Sequence, residues 1–161
     1  MRKKILFLLF VIFIAYVSIS SVNSSWFFDE GQDISVNGLN FHIPADFELA
    51  LNYSYGDYNY KTNNVGFRNN YNEGIIIKVT NIPYNDYTLK DWLNDNKNEI
   101  SVNLKDESIS GKDGVVWDYY SNGQKMAGYA YVENNRIIMI TCSYSFHDGA
   151  KYDNFLAEVI K

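Results

Sequence analysis

Cysteine occurs once, at Cys142, and histidine only at His42 and His147. A lone thiol cannot close an intramolecular disulfide or supply a thiolate zinc site. The histidines are far apart in the chain, so a metal site joining them would need a meeting that no spacing predicts, and neither metal nor cofactor is expected. Positive charge is also scarce. Fourteen Lys and Arg stand against 19 Asp and Glu, a net charge of −5. That balance argues against nucleic acid as a partner, because such binding draws most of its affinity from cations neutralising phosphates.

The usual catalytic signatures are missing too. No G-x-S-x-G elbow is present to expose a nucleophilic serine. Gly111-Lys112 lacks the earlier glycine and the following Ser or Thr of a phosphate loop. The polar run from Asn94 to Glu99 lacks the glycine of a calcium loop. Asp29-Glu30 and Asp106-Glu107 are adjacent carboxylates, which read as solvated surface. With no acid/base or nucleophile constellation, the chain is expected not to be an enzyme.

What the sequence does have is apolar and aromatic surface, 47% and 17% of its residues. Its 161 residues can close one hydrophobic core, which sets the chain apart from disordered sequences. Part of that apolar content is concentrated at the start. Arg2, Lys3 and Lys4 precede Ile5 to Val17, a run without a charged or strongly polar side chain. The cations stay on the cytoplasmic side and the following chain is delivered across the membrane, so residues 1–24 read as an export signal or a single-pass anchor.

As a helix, Ile5 to Val22 spans about 27 Å, near the ~30 Å of a bilayer core. Small residues at Ser18 and Ser20, or at Val22 and Ser24, suit signal cleavage, whereas the density of Leu, Ile, Phe and Val favours retention. The expected location is therefore the cell membrane with the C-terminal domain outside, or secretion after cleavage. Without the three leading cations, the exported part holds 11 basic residues against 19 acidic, a net −8. Residues 25–33 form a connector, and 34–161 an extracytoplasmic domain.

Within that domain, Ile34-Ser35-Val36, Asn37-Gly38 and Leu39 to Ile43 read as two strands about a two-residue turn, placing Val36 opposite Leu39, Ile34 opposite Phe41 and Asp33 opposite His42. Glu48 to Tyr55, a turn at Gly56-Asp57 and Tyr58 to Lys61 come next, then an Asn-rich stretch leading to Val65-Gly66-Phe67, and Gly74 to Thr80 is a mostly apolar strand. Thr88 and Asp91 have capping-box spacing, with Tyr87 and Trp92 as a hydrophobic staple, and Leu89, Trp92, Leu93, Ile100 and Leu104 recur at a helical period. Three strands follow, over Val115–Ser121, Gln124–Glu133 and Arg136–Phe146. Counting from their turns sets Trp117 opposite Gly128 and Thr141, Val115 opposite Ala130 and Met139, Val116 opposite Tyr129 and Ile140, and Asp118 opposite Ala127 and Cys142. Cys142 then lies mid-strand on an apolar face, as a buried structural thiol. A last helix, with Asp148 available as its cap, turns Tyr152, Phe155, Leu156, Val159 and Ile160 to one side.

Both sides of this meander are apolar, so both must be covered. The expected fold is α+β: an N-terminal transmembrane or signal helix, then an antiparallel sheet of about six to seven strands with a helix on each face.

One surface stands out. A two-residue turn at Gly56-Asp57 would place Tyr55 opposite Tyr58 and Tyr53 opposite Tyr60, gathering four tyrosines on one face among many asparagines. Such a face suits carbohydrate stacking or a protein partner, since Tyr offers a rigid apolar plane with a polar tip. The pattern more readily favours cross-strand pairing that simply stabilises the hairpin.

The segment Phe41-His42-Ile43-Pro44-Ala45-Asp46-Phe47 resembles the F-x-I-P-x-x-F/W entry of small exported domains in the PsbP/DcrB-like group, and the order hairpin, strands, helix, meander, helix is similar to theirs. The resemblance covers roughly Ile34 to Lys161. It implies an antiparallel sheet sandwiched by helices and an accessory role, and it brings no catalytic residues. Many members are held as lipoproteins; this chain lacks the lipid-bearing cysteine and would be tethered by its apolar helix instead. The function expected is that of a non-enzymatic module binding a protein or envelope component, with a carbohydrate-binding or adhesive module using Tyr53, Tyr55, Tyr58 and Tyr60 as the alternative.

Overall fold

The computed structural model describes residues 31–56, 60–84, 86–97, 100, 103–121, 124–143 and 149–160, with the side chains at 121, 124 and 149–152 outside the description. The export segment and most of the connector, Tyr58, His147 and Asp148 fall outside the described residues. Among the described residues no helix is long and apolar enough to cross a membrane.

Strands β1 (Gln32–Val36) and β2 (Leu39–Ile43) meet at Asn37-Gly38, whose φ angles of 51° and 77° are the left-handed pair a tight hairpin turn requires. Asn and Gly adopt that region at low steric cost. The register is the expected one, with Val36 opposite Leu39, Ile34 opposite Phe41 and Asp33 opposite His42. His42 Nδ1 lies 2.7 Å from Asp33 Oδ1. This hairpin stays a separate two-stranded layer and does not join the main sheet.

The main sheet is antiparallel and seven-stranded, in the order β3-β4-β5-β9-β8-β7-β6. Its strands are β3 (Glu48–Tyr55), β4 (Thr62–Arg68), β5 (Gly74–Asn81), β6 (Lys105–Ile109), β7 (Lys112–Ser121), β8 (Gln124–Glu133) and β9 (Arg136–Ser143). In the meander every expected pairing is present, including Trp117 with Gly128, Gly128 with Thr141, and Ala127 with Cys142. Strand β6 was not expected, because three of its five residues are charged. It is held by the turn Ser110-Gly111, whose φ angles of 52° and 73° again make a two-residue hairpin.

One face of the sheet carries Val65, Phe67, Ile75, Ile77, Ile138 and Ile140, and packs against the β1–β2 hairpin and α2 (Gly149–Val159). Leu156 and Val159 of α2 are fully buried, and Phe41 and Ile160 form a β-bridge that ties hairpin to helix end. The other face holds Trp117, Ala130, Ile137 and Met139 beneath Tyr87, Trp92, Leu93 and Ile100. Full burial of such side chains stabilises by roughly 1.5–3 kcal/mol each. Helices thus cover both faces as expected, but on one of them the hairpin shares the work.

The helix α1 (Leu89–Asp95) starts on the expected capping box. Asp91 N–H donates to Thr88 Oγ1 at 3.2 Å, and Thr88 N–H donates to the Asp91 carboxylate at 2.8 Å. It ends two turns in, where Asn96 Nδ2 donates to the Trp92 carbonyl at 2.8 Å. The helical period through Leu104 does not persist. Asn and Asp crowd the stretch after Leu93, and their side chains satisfy backbone groups locally in place of the helix ladder. Ile100 is still buried, while Leu104 is 47% exposed.

Candidate binding surface on an open sheet edge

Strands β3 and β6 are the two edges of the main sheet. An edge strand presents unpaired N–H and C=O groups, and natural sheets guard such edges with charge, proline, bulges or brevity. Strand β6 is guarded: it is short and carries Lys105, Asp106 and Glu107, with Lys105 Nζ 2.7 Å from Glu107 Oε2. Strand β3 is eight residues long, seven of them exposed, and its one charge is Glu48 at the start. A bulge between Leu49 and Leu51 is its only protection among these devices.

Beyond the bulge, Leu51, Tyr53 and Tyr55 point to the face that α1 covers further along the sheet. Tyr53 lies opposite Asn64, which lies opposite Lys78 and then Met139; Tyr55 lies opposite Thr62, then Thr80, then Ile137. Tyr53 and Tyr55 are 53% and 48% exposed, and their rings lie 6.1 Å apart at an angle of 27°. Leu51 packs over Gly66, where an added Cβ would meet its Cγ at 2.7 Å. Thr62 and Thr80 are buried with their hydroxyls 3.0 Å apart. On the opposite face, Ser54 Oγ donates to Asn63 Oδ1 at 2.6 Å.

Asn64 is the anomaly of this region. It is 1% exposed, and neither its amide nitrogen nor its amide oxygen has a hydrogen-bond partner among the described residues. Buried polar groups are normally paired, and leaving one unpaired costs about 1–3 kcal/mol. An unpaired amide beside two exposed phenols is a feature that binding can turn to use.

Tyr53 and Tyr55 do share one side of β3, but they are not paired with Tyr60 and Tyr58 as a two-residue turn would have it. The connection from β3 to β4 is longer than two residues, because Tyr55 pairs with Thr62 and Tyr53 with Asn64. Tyr60 is therefore outside the ladder, and Tyr58 lies outside the described residues. Tyr60 instead contributes to the surroundings of Tyr87, whose hydroxyl donates to Asp95 Oδ2 at 2.7 Å. Burial raises the Tyr87 phenol well above its ordinary range, and Asp95, Tyr60 and Tyr84 push it in the same direction. Tyr84 meets Tyr87 edge-on at 5.3 Å. The aromatic residues thus divide into an exposed pair on β3 and a cluster at the start of α1.

Asn64, Thr62, Thr80 and Lys78 were missed as site residues. In the sequence Asn64 sits in a string of asparagines that reads as a loop; the alternation Thr62, Asn64, Gly66 against Asn63, Val65, Phe67 was the available signal of a strand with one polar side.

Elsewhere, an open cleft of about 470 Å³ lies beside Leu89 and Val115, with Asp106, Glu107 and Asp113 around it. Cys142 is buried, and desolvation pushes its thiol up to about 12, far from a nucleophilic thiolate. Among the described residues no three His, Cys, Asp or Glu are grouped to hold a metal ion.

No protein-family model matches the sequence, and no curated protein matches it. Among solved structures, the chain is similar to the solution structure of cyanobacterial PsbP (CyanoP) from Synechocystis sp. PCC 6803, with a TM-score of 0.54 and 14% identity over 84% of this chain and 92% of that one. The fold is PsbP-like, as the segment from Phe41 to Phe47 implied. At that identity it is the architecture that the two chains share.

Proposed function

We propose that the domain is a non-catalytic accessory module, held on the outer side of the membrane by its N-terminal apolar segment, that docks a protein of the cell envelope on the β3 side of its sheet. The observation carrying this reading is the exposed Tyr53–Tyr55 pair on an open edge strand, with the unpaired amide of Asn64 directly across from Tyr53. Tyrosine is favoured at interfaces because it brings a large rigid contact and a hydrogen-bonding tip at low entropic cost. The accessory role agrees with the PsbP-like fold, and the tether with the basic start and apolar run of the sequence.

Crosslinking and co-purification of the full chain from its own membranes tests this, comparing the native protein with Tyr53→Ser/Tyr55→Ser. The partner should be recovered with the first and lost with the second, while both melt alike. Equal recovery would overturn the reading. The pairing of two phenols with a buried amide also suits a sugar ring, whose hydroxyls can engage an amide while its apolar face rests on the phenols. Retention of the native chain, but not the double variant, on purified cell-wall polysaccharide would favour that carbohydrate reading over the protein one.

A further inference from the structure

We infer that β3 pairs with β3 of a second copy of this chain, antiparallel about Tyr53, so that two seven-stranded sheets continue across one two-fold axis. The inference goes beyond the docking of an envelope partner, because it concerns the open ladder edge and not the face beside it.

Only an extended chain satisfies a row of alternating N–H and C=O groups spaced as in a strand. The bulge between Leu49 and Leu51 interrupts the regular ladder, which leaves Leu51 to Tyr55 as the segment available for pairing. That segment contains no charge, proline or glycine. Glu48, the one charge of β3, lies before the bulge and outside it.

The segment is also complementary to itself. Turned antiparallel about Tyr53, it sets Tyr53 against Tyr53 of the second copy, Leu51 against Tyr55, and Asn52 against Ser54. Directly opposed residues share a face, so apolar meets aromatic on one side and amide meets hydroxyl on the other. The contact is isologous, and it closes at two copies because each chain contributes the same edge. The guarded edge at β6, with three charges in five residues, gives no comparable pairing. Pairing at β3 would bring four tyrosines, Tyr53 and Tyr55 from each copy, onto one continuous face.

Cysteine pairing of the full chain in detergent tests the register. Asn52→Cys and Ser54→Cys lie on the polar side and leave the tyrosines in place. Oxidised separately, each should keep the dimer but form little disulfide-linked product; mixed, they should form a disulfide-linked heterodimer, and Ser108→Cys on β6 should not join either. Native Cys142 is buried and serves as the unreactive background. In sedimentation, Tyr53→Lys should shift the native dimer to monomer by opposing two like charges, and Tyr53→Phe should keep the dimer.

No excess of heterodimer in the mixture, or an unchanged dimer in Tyr53→Lys, would overturn the inference. Dimerisation through the apolar N-terminal segment alone would give that second result. The two proposals fail separately: loss of partner recovery in Tyr53→Ser/Tyr55→Ser without any Asn52–Ser54 crosslink removes the dimer and keeps the docking reading, and the reverse outcome keeps only the dimer.

Discussion

Trp117 lies directly opposite Gly128 across the β7–β8 ladder, and its indole occupies the space a side chain on Gly128 would need: an added Cβ would come within 2.3 Å of the ring. The indole is 3% exposed and joins the core beneath α1. Trp117→Ala should therefore destabilise by about 3–5 kcal/mol, in the range of buried aromatic truncations. Gly128→Ala should destabilise by about 1–3 kcal/mol, because the indole must move within a packed layer. Urea melts of the two single variants and the double variant should show less than additive loss, since removing the ring frees the space the methyl needs.

Alkaline pH should weaken the fold. Burial pushes the Cys142 thiol from an ordinary 9.0 up to about 12, and burial also raises the phenols of Tyr131 and Tyr87. A raised acid holds its proton longer in the folded chain than in the unfolded one. Its contribution is complete below the unfolded value and is lost as pH rises toward the folded value. Through these groups stability should hold from neutral pH to about pH 9 and fall from there toward pH 12. Chemical denaturation across that range checks the slope. Labelling of Cys142 by a thiol reagent at pH 8 should require unfolding; rapid labelling of the native protein would contradict the burial.

How legible was this fold? The β1–β2 and β8–β9 registers followed from Asn37-Gly38 and Asn134-Asn135, whose left-handed φ angles close two-residue turns that fix every pairing counted outward from them. The same logic failed at Gly56-Asp57. That dipeptide looks like a tight turn, yet the buried positions Thr62, Asn64 and Gly66 set the β3–β4 register from the far side of a longer connection. Strand β6 was hidden because its charged residues serve a guarded edge and not a core. Tyr53 and Tyr55 were legible as a pair. The unpaired amide of Asn64 was not, because burial and the lack of a partner are tertiary facts.

The capping box at Thr88 predicts a modest effect. Thr88 accepts from the Asp91 N–H, and the Asp91 carboxylate accepts from both the Thr88 N–H and its hydroxyl. Thr88→Ala should cost about 1 kcal/mol, as loss of an N-cap does. The hydrogen bonds from Thr88 hold the Asp91 carboxyl below its ordinary 3.8. A lowered acid stabilises above its unfolded value, and that contribution fades as pH falls through the folded one. The difference between native and Thr88→Ala chains in thermal melts should therefore shrink below pH 4. An unchanged gap at acid pH would mean that the Asp91 half of the box is idle.

Asn64→Leu separates a structural amide from a binding one. Leucine has a similar volume and no polar group to leave unpaired, so at a 1% exposed position the exchange should be neutral or stabilising. A gain of 1 kcal/mol would raise Tm by about 4 °C in a domain of this size. Partner recovery should fall in the same variant if the amide engages the partner beside Tyr53. A fall in Tm of several degrees would show instead that the amide is satisfied within the fold. A higher Tm with unchanged recovery would leave Tyr53 and Tyr55 to carry the surface alone. The pair of measurements thus tells whether the buried amide is a cost kept for binding.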